Sequence, residues 1–455
     1  MKQIILNIFS LHALRLCVKQ VFILLFIFCN TISAQQKSLT VETINGKKYF
    51  LHIVKSEETL LSISKIYGIT VNELLIENNY AIDGIKSGDV LKMPVKEIGG
   101  VTQASDSVKT SSAKKDSAVP KLVLSGYVDA YYAYYNDSVG PGNYQKFPTI
   151  APRSEFGLNT FLLSVQYNAN NVRALATLHY GDISGSSWSP VFNSIVEANA
   201  GFRLVKKLWL DAGFFRTHIG TEGLLPKENI VSSLAVGSYF EPYYEAGFRF
   251  NYVPNKKLAL NLFLLNGYNM FDDNNRKKSL GLLVTYALGE KGNFGYSNYV
   301  GDDTPIAGDS VSHLRIYQNA FLNYKIKKIK IQAGADLGLQ QHSYINNVKK
   351  KACVYNGLLS VKYQLKKKVA IYMRGEVFED AEGILSGVFV NKKGSLTGDK
   401  LFGITAGGEV KPTDDSFIRL ESRYLQSQKD EEIFHANGKD TNSRLEIILN
   451  MGISF

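Results

Sequence analysis

The chain has 455 residues, a formal charge of +11 and an ordinary apolar fraction, but it carries Tyr 26 and Phe 25 against Trp 2. Such a length allows two or three domains. The basic excess is mild for so long a chain and accompanies no nucleic-acid motif. Beyond the amino terminus no stretch approaches the apolar run of a membrane helix, so nucleic-acid binding and a helical membrane protein are both excluded.

Residues 1–34 read as a signal peptide. Lys2, Arg15 and Lys19 precede VFILLFIF, a run too short to span a bilayer, and Ser33 and Ala34 offer small residues for cleavage before Gln35. A lipoprotein signal on Cys29 is the alternative, opposed by bulky Phe28 before it. Cleavage lowers the formal charge from +11 to +8 and leaves Cys353 as the only thiol. An intramolecular disulfide is then excluded, although export implies an oxidising compartment.

Residues 48–95 form a compact unit. Thr59 caps a helix carrying Leu60, Ile63 and Ile66, which Gly68 ends, and Thr70 caps a second helix carrying Leu74 and Leu75. Short strands at HIV and VLKMP flank the pair, giving β-α-α-β. With its V-K-x-x-x-T-L start, its SISKIYGITVNELL core, the Asn78 region and the closing DGIKSGDVLKMP, this unit resembles the LysM domain over its whole length. The resemblance implies binding of N-acetylglucosamine-containing glycans, chiefly peptidoglycan, in a shallow groove. By position one side of that groove is Ser56, Glu57, Glu58, Thr59 and Leu60, and the other is Asn79, Tyr80, Ile82, Gly84 and Ile85. Glu57-Glu58-Thr59 replaces the usual Gly-Asp-Thr, which bears on affinity rather than on fold. A module that only packs or binds another protein is the alternative. Residues 96–120 lack apolar periodicity and are rich in Ser, Thr and Lys, a flexible linker spanning roughly 25 to 30 Å.

From Lys121 onward, segments of roughly ten residues alternate apolar and polar positions, as strands with two different faces do. Sixteen such segments are separated by short turns near 168–171, 205–207, 253–257, 288–292, 325–328, 365–368 and 411–415, alternating with longer polar loops. The pattern predicts a mainly β fold: an antiparallel up-and-down transmembrane β-barrel of about 16 strands over residues 121–455, preceded by the small β-α-α-β unit. A soluble β-sandwich would alternate too. It would not need Tyr167, Tyr252, Tyr286, Tyr324 and Tyr363 on one parity just before short turns, where an aromatic girdle meets a membrane interface.

Parity decides which face meets lipid. Arg419, Glu421 and Arg423 stand opposite Ile418, Leu420 and Tyr424, and each arginine turned toward lipid would cost roughly 2 to 4 kcal/mol at the midplane. The polar face therefore lines the pore, with Asp129, Arg173, Glu197, Arg203, Asp211, Glu245, Arg249, Arg315, Asp336, Lys362, Arg374, Glu376, Glu409 and Glu446. These charges nearly balance, which gives no strong ion selectivity. The closing LEIILNMGISF supplies the last strand and must pair with the first, near 121–135; Phe455 fits the carboxy-terminal signal of outer-membrane barrels.

This pattern, with LSGYVDAYYAYY, GFFRTHIGTEGLLPKENI and SYFEPYYEAGFRFNY, resembles the OmpL-like outer-membrane β-barrel porins of Bacteroidota. The resemblance implies a cell outer membrane location and passage of small solutes. Barrels of this size leave an aqueous channel. The longest loop, 217–240, is expected to fold inward as a constriction with His218, Glu222, Lys227 and Glu228; lying flat on the rim is the alternative. The expected partners are peptidoglycan, outer-membrane lipid and small solutes, with a homo-oligomer left open, no cofactor and no resident metal. An outer-membrane enzyme is the rival class, but His179, His218 and His313 have no Ser or Asp at motif spacing. DDNN at 272–275 and DD at 302–303 read as solvated loop tips rather than metal ligands, and Cys353 falls on the lipid-facing parity. A barrel serving only as an anchor between outer membrane and cell wall, without transport, remains the other reading.

Overall fold

The computed structural model describes residues 41–44, 47–55, 58–67, 69, 74–75, 77–78, 81, 85–94, 121–136, 156–305 and 311–455. Two compact units divide the chain between Ala113 and Lys114. The signal peptide and the linker lie outside the described residues.

In the first unit, β1 (Val41–Ile44), β2 (Lys47–Ile53) and β3 (Val90–Pro94) form one antiparallel sheet in that order. The added strand β1 is absent from the β-α-α-β expectation, because VETI precedes the segment whose motifs define the unit. Helix α1 (Leu60–Tyr67) begins after Thr59, whose carbonyl accepts from Ile63 N–H at 2.9 Å. Of the second helix only residues 74, 75 and 77 are described as helical. Val54, Ile63, Leu74, Leu91 and Met93 are buried in a common core. Asn78 ties the end of that second helix to the sheet: its amide donates to the Leu74 and Lys92 carbonyls and its oxygen accepts from Lys92 N–H, each at 2.8 Å.

The second unit is a closed barrel of 16 strands. In chain order these are β4 (Lys121–Tyr135), β5 (Phe156–Asn168), β6 (Val172–Tyr180), β7 (Ile195–Val205), β8 (Leu208–Arg216), β9 (Tyr244–Tyr252), β10 (Leu258–Leu265), β11 (Ser279–Ala287), β12 (Gly292–Asp302), β13 (Leu314–Ile326), β14 (Ile329–Gln340), β15 (Ala352–Lys366) and β16 (Val369–Glu379). A loop hairpin of β17 (Phe389–Val390) and β18 (Leu396–Thr397) precedes β19 (Lys400–Val410) and β20 (Ser416–Ser427). Another, β21 (Phe434–Ala436) with β22 (Lys439–Thr441), precedes β23 (Ser443–Ser454). All short connections fall at one end, the turn end, where the sequence punctuation placed them; the opposite end is the loop end.

Closure runs through the carboxy-terminal strand. β23 pairs with β4 from Glu446 opposite Tyr135 to Ser454 opposite Tyr127, and Phe455 and Gly126 then exchange backbone hydrogen bonds of 2.7 and 3.1 Å. No barrel edge is left unpaired, which is the condition for strands to survive in hydrocarbon. Alternation separates the faces: along β16, Ile371, Met373 and Val377 are exposed while Tyr372, Arg374, Glu376 and Phe378 are buried. Tyr167, Tyr252, Tyr286 and Tyr363 are exposed at the turn end, and Cys353 is exposed on the apolar face.

Candidate functional site

The 217–243 connection between β8 and β9 does not lie on the rim. It enters the barrel as a strap whose residues from Leu224 to Ala235, apart from Lys227 and Glu228, are almost all buried. Backbone led into such an interior must find partners for its N–H and C=O groups. The wall supplies them by alternating charge along β20. Arg419 donates to the carbonyls of Pro226, Asn229 and Val231 at 2.8 to 3.0 Å, and Glu421 accepts from the amides of Ser232 and Ser233 at 2.8 and 2.9 Å. On β16, Glu376 accepts from Val236 N–H at 2.6 Å. Arg374 donates to Glu222 at 2.9 Å and to the Ser233 carbonyl at 2.5 Å, and Glu222 also accepts from Ala235 N–H at 2.7 Å, which closes the strap on itself.

The start of the strap is anchored on other strands. His218 is buried over Phe263, with Nδ1 2.7 Å from Glu245 and Nε2 2.8 Å from the Asn298 carbonyl. Both nitrogens face acceptors, so both are satisfied only when the ring carries two protons. Thr221 accepts from Asn319 at its hydroxyl and from Gln332 at its carbonyl. Glycines make the close approaches possible: on the wall a Cβ at Gly334 would overlap Thr221 and one at Gly281 would overlap His218, and on the strap one at Gly237 would overlap Asn356. The strap ends in helix α3 (Val236–Phe240), after α2 (Asp182–Ser187) in an earlier loop. Near α3, Val236, Tyr268, Phe378, Leu401 and Leu425 pack into an apolar cluster toward the loop end.

Behind the strap, wall charges satisfy one another. Arg374 and Arg423 both reach Glu376, Arg423 and Arg444 both reach Glu446, and the three arginines are no more than 1% exposed. Glu409 lies between Arg419 and Lys362. Arg374, Glu376, Arg423, Arg444 and Glu446 form a buried ionic lattice, while Lys362, Glu409 and Arg419 lie at the edge of the turn-end space. Asp129 is buried as well, accepting from Tyr127 and Asn159 at 2.9 Å and from Asn450. Asp336 accepts from Asn319, Asn356 and Tyr317.

The opposite wall is open. A cavity of ≈ 690 Å³ runs between strap residues 217–224 and strands β7 to β14, with Glu197, Arg216, Arg249, Asn293, Phe321 and Gln332 in its lining. A second space of ≈ 470 Å³ opens toward the turn end, bounded by Lys227, Lys325, Lys330, Lys362 and Arg419 among others. Both are lined by Glu228, Asn323 and Gln332, so they adjoin at that point. Glu228 is held there by a two-pronged contact from Arg216 at 2.8 and 2.6 Å. Farther along this wall Arg173 and Arg249 share Asp211, while Arg203 is exposed and stacks 4.8 Å from the centre of the Trp209 ring. Arg315 lies higher, bonded to Gln340 and 3.7 Å from Asp303.

The expected inward charges thus lie in two environments, and charge alone could not sort them. Asn450 and Gln332 were expected on the inward face; Asn319 was missed, its signal being polarity on the parity of Arg315, and Ser233, in the nonperiodic strap, offered no such signal. His179 stacks edge-on against Trp188 at 4.6 Å, and His313 lies 3.1 Å from Ser343 Oγ. Asp302 is taken by Lys277, Ser312 and Thr304, and Asp273 by Lys278 and Asn275 N–H.

In the first unit, Glu58 turns inward. Its carboxylate lies 2.7 Å from His52 Nε2 and accepts from Lys55 N–H at 2.9 Å, while Tyr67 OH meets His52 Nδ1 at 3.0 Å. Burial pushes the Glu58 carboxyl up, but these hydrogen bonds outweigh it and hold the group below its ordinary value. The side chain is committed inside the loop. Thr59 is exposed, and Leu60 and Ile85 are each partly buried against the core. Ser56, Glu57, Asn79, Tyr80, Ile82 and Gly84 lie outside the described residues.

Residues 121–455 match the family described as "Putative beta-barrel porin-2, OmpL-like", and residues 52–94 match the LysM domain. The fold is similar to that of the anion-selective porin from Comamonas acidovorans, with a TM-score of 0.51 at 10% identity over 74% of this chain and 100% of that one. It is equally similar to the outer-membrane channel DcaP of Acinetobacter baumannii, with a TM-score of 0.51 at 10% identity over 74% and 97%. No curated protein matches the chain.

Proposed function

Because the chain belongs to the OmpL-like β-barrel porin-2 family, we propose that it is an outer-membrane channel for small solutes, tethered noncovalently to peptidoglycan through its LysM domain. The observation that carries the channel reading is the pair of adjoining cavities beside the strap, lined by charged and amide side chains. Solute passes along the β7–β14 wall, and the strap is the constriction. His218 and Glu222 fix it, and Glu228 stands at the junction of the two spaces with Lys227 beside it. No catalytic role is assigned to any of these groups.

The tether reading rests on the match over 52–94 and on strand parity. An even number of strands brings both barrel termini to the turn end, which in this proposal faces the periplasm, and export by residues 1–34 delivers the LysM domain there. Planar-bilayer conductance and sedimentation with purified peptidoglycan test the two halves separately. Open channels whose conductance rises when 221–236 are deleted are expected; unchanged conductance in a folded deletion removes the constriction. Sedimentation should be lost when 48–95 are deleted. A silent bilayer with intact sedimentation would leave an anchor alone.

A further inference from the structure

The space at the turn end differs in charge from the rest of the lumen. Its acids Glu409 and Glu228 are already engaged, the first by Lys362 and Arg419 and the second by Arg216. Lys227, Lys291, Lys325, Lys330 and Lys411 also line it, and among the described residues none of the five has a carboxylate within ion-pair distance. The Lys227 ammonium sits 4.5 Å over the Tyr127 ring, and the Lys411 ammonium donates to the Asp414 carbonyl. The remaining acids, Glu290, Asp414 and Asp415, are exposed on the turns. Around the opening, adjacent turns add KK at 206–207, KK at 256–257, KK at 327–328 and KKK at 366–368.

Ammonium groups this close act together, because the screening length is about 8 Å at physiological ionic strength. A recess with low-dielectric walls concentrates their field. Beyond the junction the excess of cations ends: the larger cavity presents Glu197 and Glu241 beside Arg216 and Arg249, and its Glu222 is held by Arg374. An anion entering from the turn end therefore meets an excess of cations and then a lining of both signs. It is held in the recess and does not run through.

We infer that this turn-end vestibule is a binding site for small multiply charged anions, such as phosphate-bearing or polycarboxylate solutes, with Lys325 and Lys330 as principal contacts and Lys227 of the strap as its floor. The inference rests on the channel reading only for its consequence, which is one-sided block of current.

The test uses the full-length protein with tripolyphosphate as probe. Equilibrium dialysis of the detergent-solubilised protein should show saturable binding that weakens on raising NaCl and falls at least several-fold in K325Q/K330Q, a variant that changes only exposed side chains. In single-channel recordings the same probe should block from one side of the membrane only, with block relieved in the variant. Binding absent from the wild type, or equal in the variant, overturns the site. Block that is equal from both sides overturns its placement. If no channel opens while dialysis shows the lysine-dependent binding, the site stands and the channel reading fails.

Discussion

The two walls of the lumen carry similar residues and use them differently. On β16, β20 and β23 three arginines are enclosed: Arg374 by the strap and Glu376, Arg423 by Glu376 and Glu446, and Arg444 by Glu446 and the rings of Tyr135 and Phe434. On β6 to β9, Arg173 and Arg249 stay about a quarter exposed and Arg203 more so. An inward arginine is thus wholly enclosed on one wall and only partly so on the other, even where it is paired as Arg173 and Arg249 are with Asp211. The strap selects between them because its middle leans on β16 and β20 while only its start is held by β9 to β14, and the open space is left on that second side.

The largest expected effect breaks the closed wall. Arg374→Met leaves Glu222 and Glu376 without a shared cation in a buried setting, and removing one partner of such a pair costs about 3 to 5 kcal/mol. Urea titration of heat-modifiable gel mobility would show it, and a cost similar to that of an exposed arginine would end the distinction between the walls. Glu421→Ala comes next. It strands the amides of Ser232 and Ser233, and hydrogen bonds to a charged group contribute about 1.5 to 3 kcal/mol each before relaxation. The expected signature is a strap cleaved by added protease while the barrel stays folded. On the open wall, Arg203→Gln should change stability by no more than about 0.5 kcal/mol and show its effect in conductance alone.

Outside the lumen, Glu58 supplies a control for buried acids that need no strap. Its carboxyl is held below its ordinary value in the folded module, so the charged form adds stability above the unfolded value near about 4.3. That contribution is lost as the pH falls through the folded value. Protease protection of 48–95 in the full chain should therefore weaken on acidification, and less so in Glu58→Gln. Protection independent of pH in both forms would show that the His52–Glu58 contact adds nothing.

Strand boundaries, parity and closure were legible because each follows from a short-range rule. Alternation is local, turns announce themselves by Asn, Gly and Lys, and a charged residue on the lipid face is too costly to persist. An inward course was expected for 217–240, but not its attachments. Ser232 meets Asn450 across 218 residues of sequence, and the glycines that make room for Thr221 and His218 read in sequence only as gaps in a strand. The inward parity of the charges was legible too. Which charges cancel was not, because cancellation depends on separations of a few ångström between strands far apart in the chain.

By itself the sequence determined a sixteen-strand barrel joined to a LysM domain, since a period of two and the cost of polar groups in hydrocarbon leave one arrangement of faces. Only the tertiary structure decided which wall the middle of the strap covers, and with it which arginines are enclosed, where open space remains and why five lysines at the turn end have no carboxylate partner among the described residues. Those outcomes depend on packing a nonperiodic segment into a closed space, where each backbone group must find a partner and the nearest one is set by the fold.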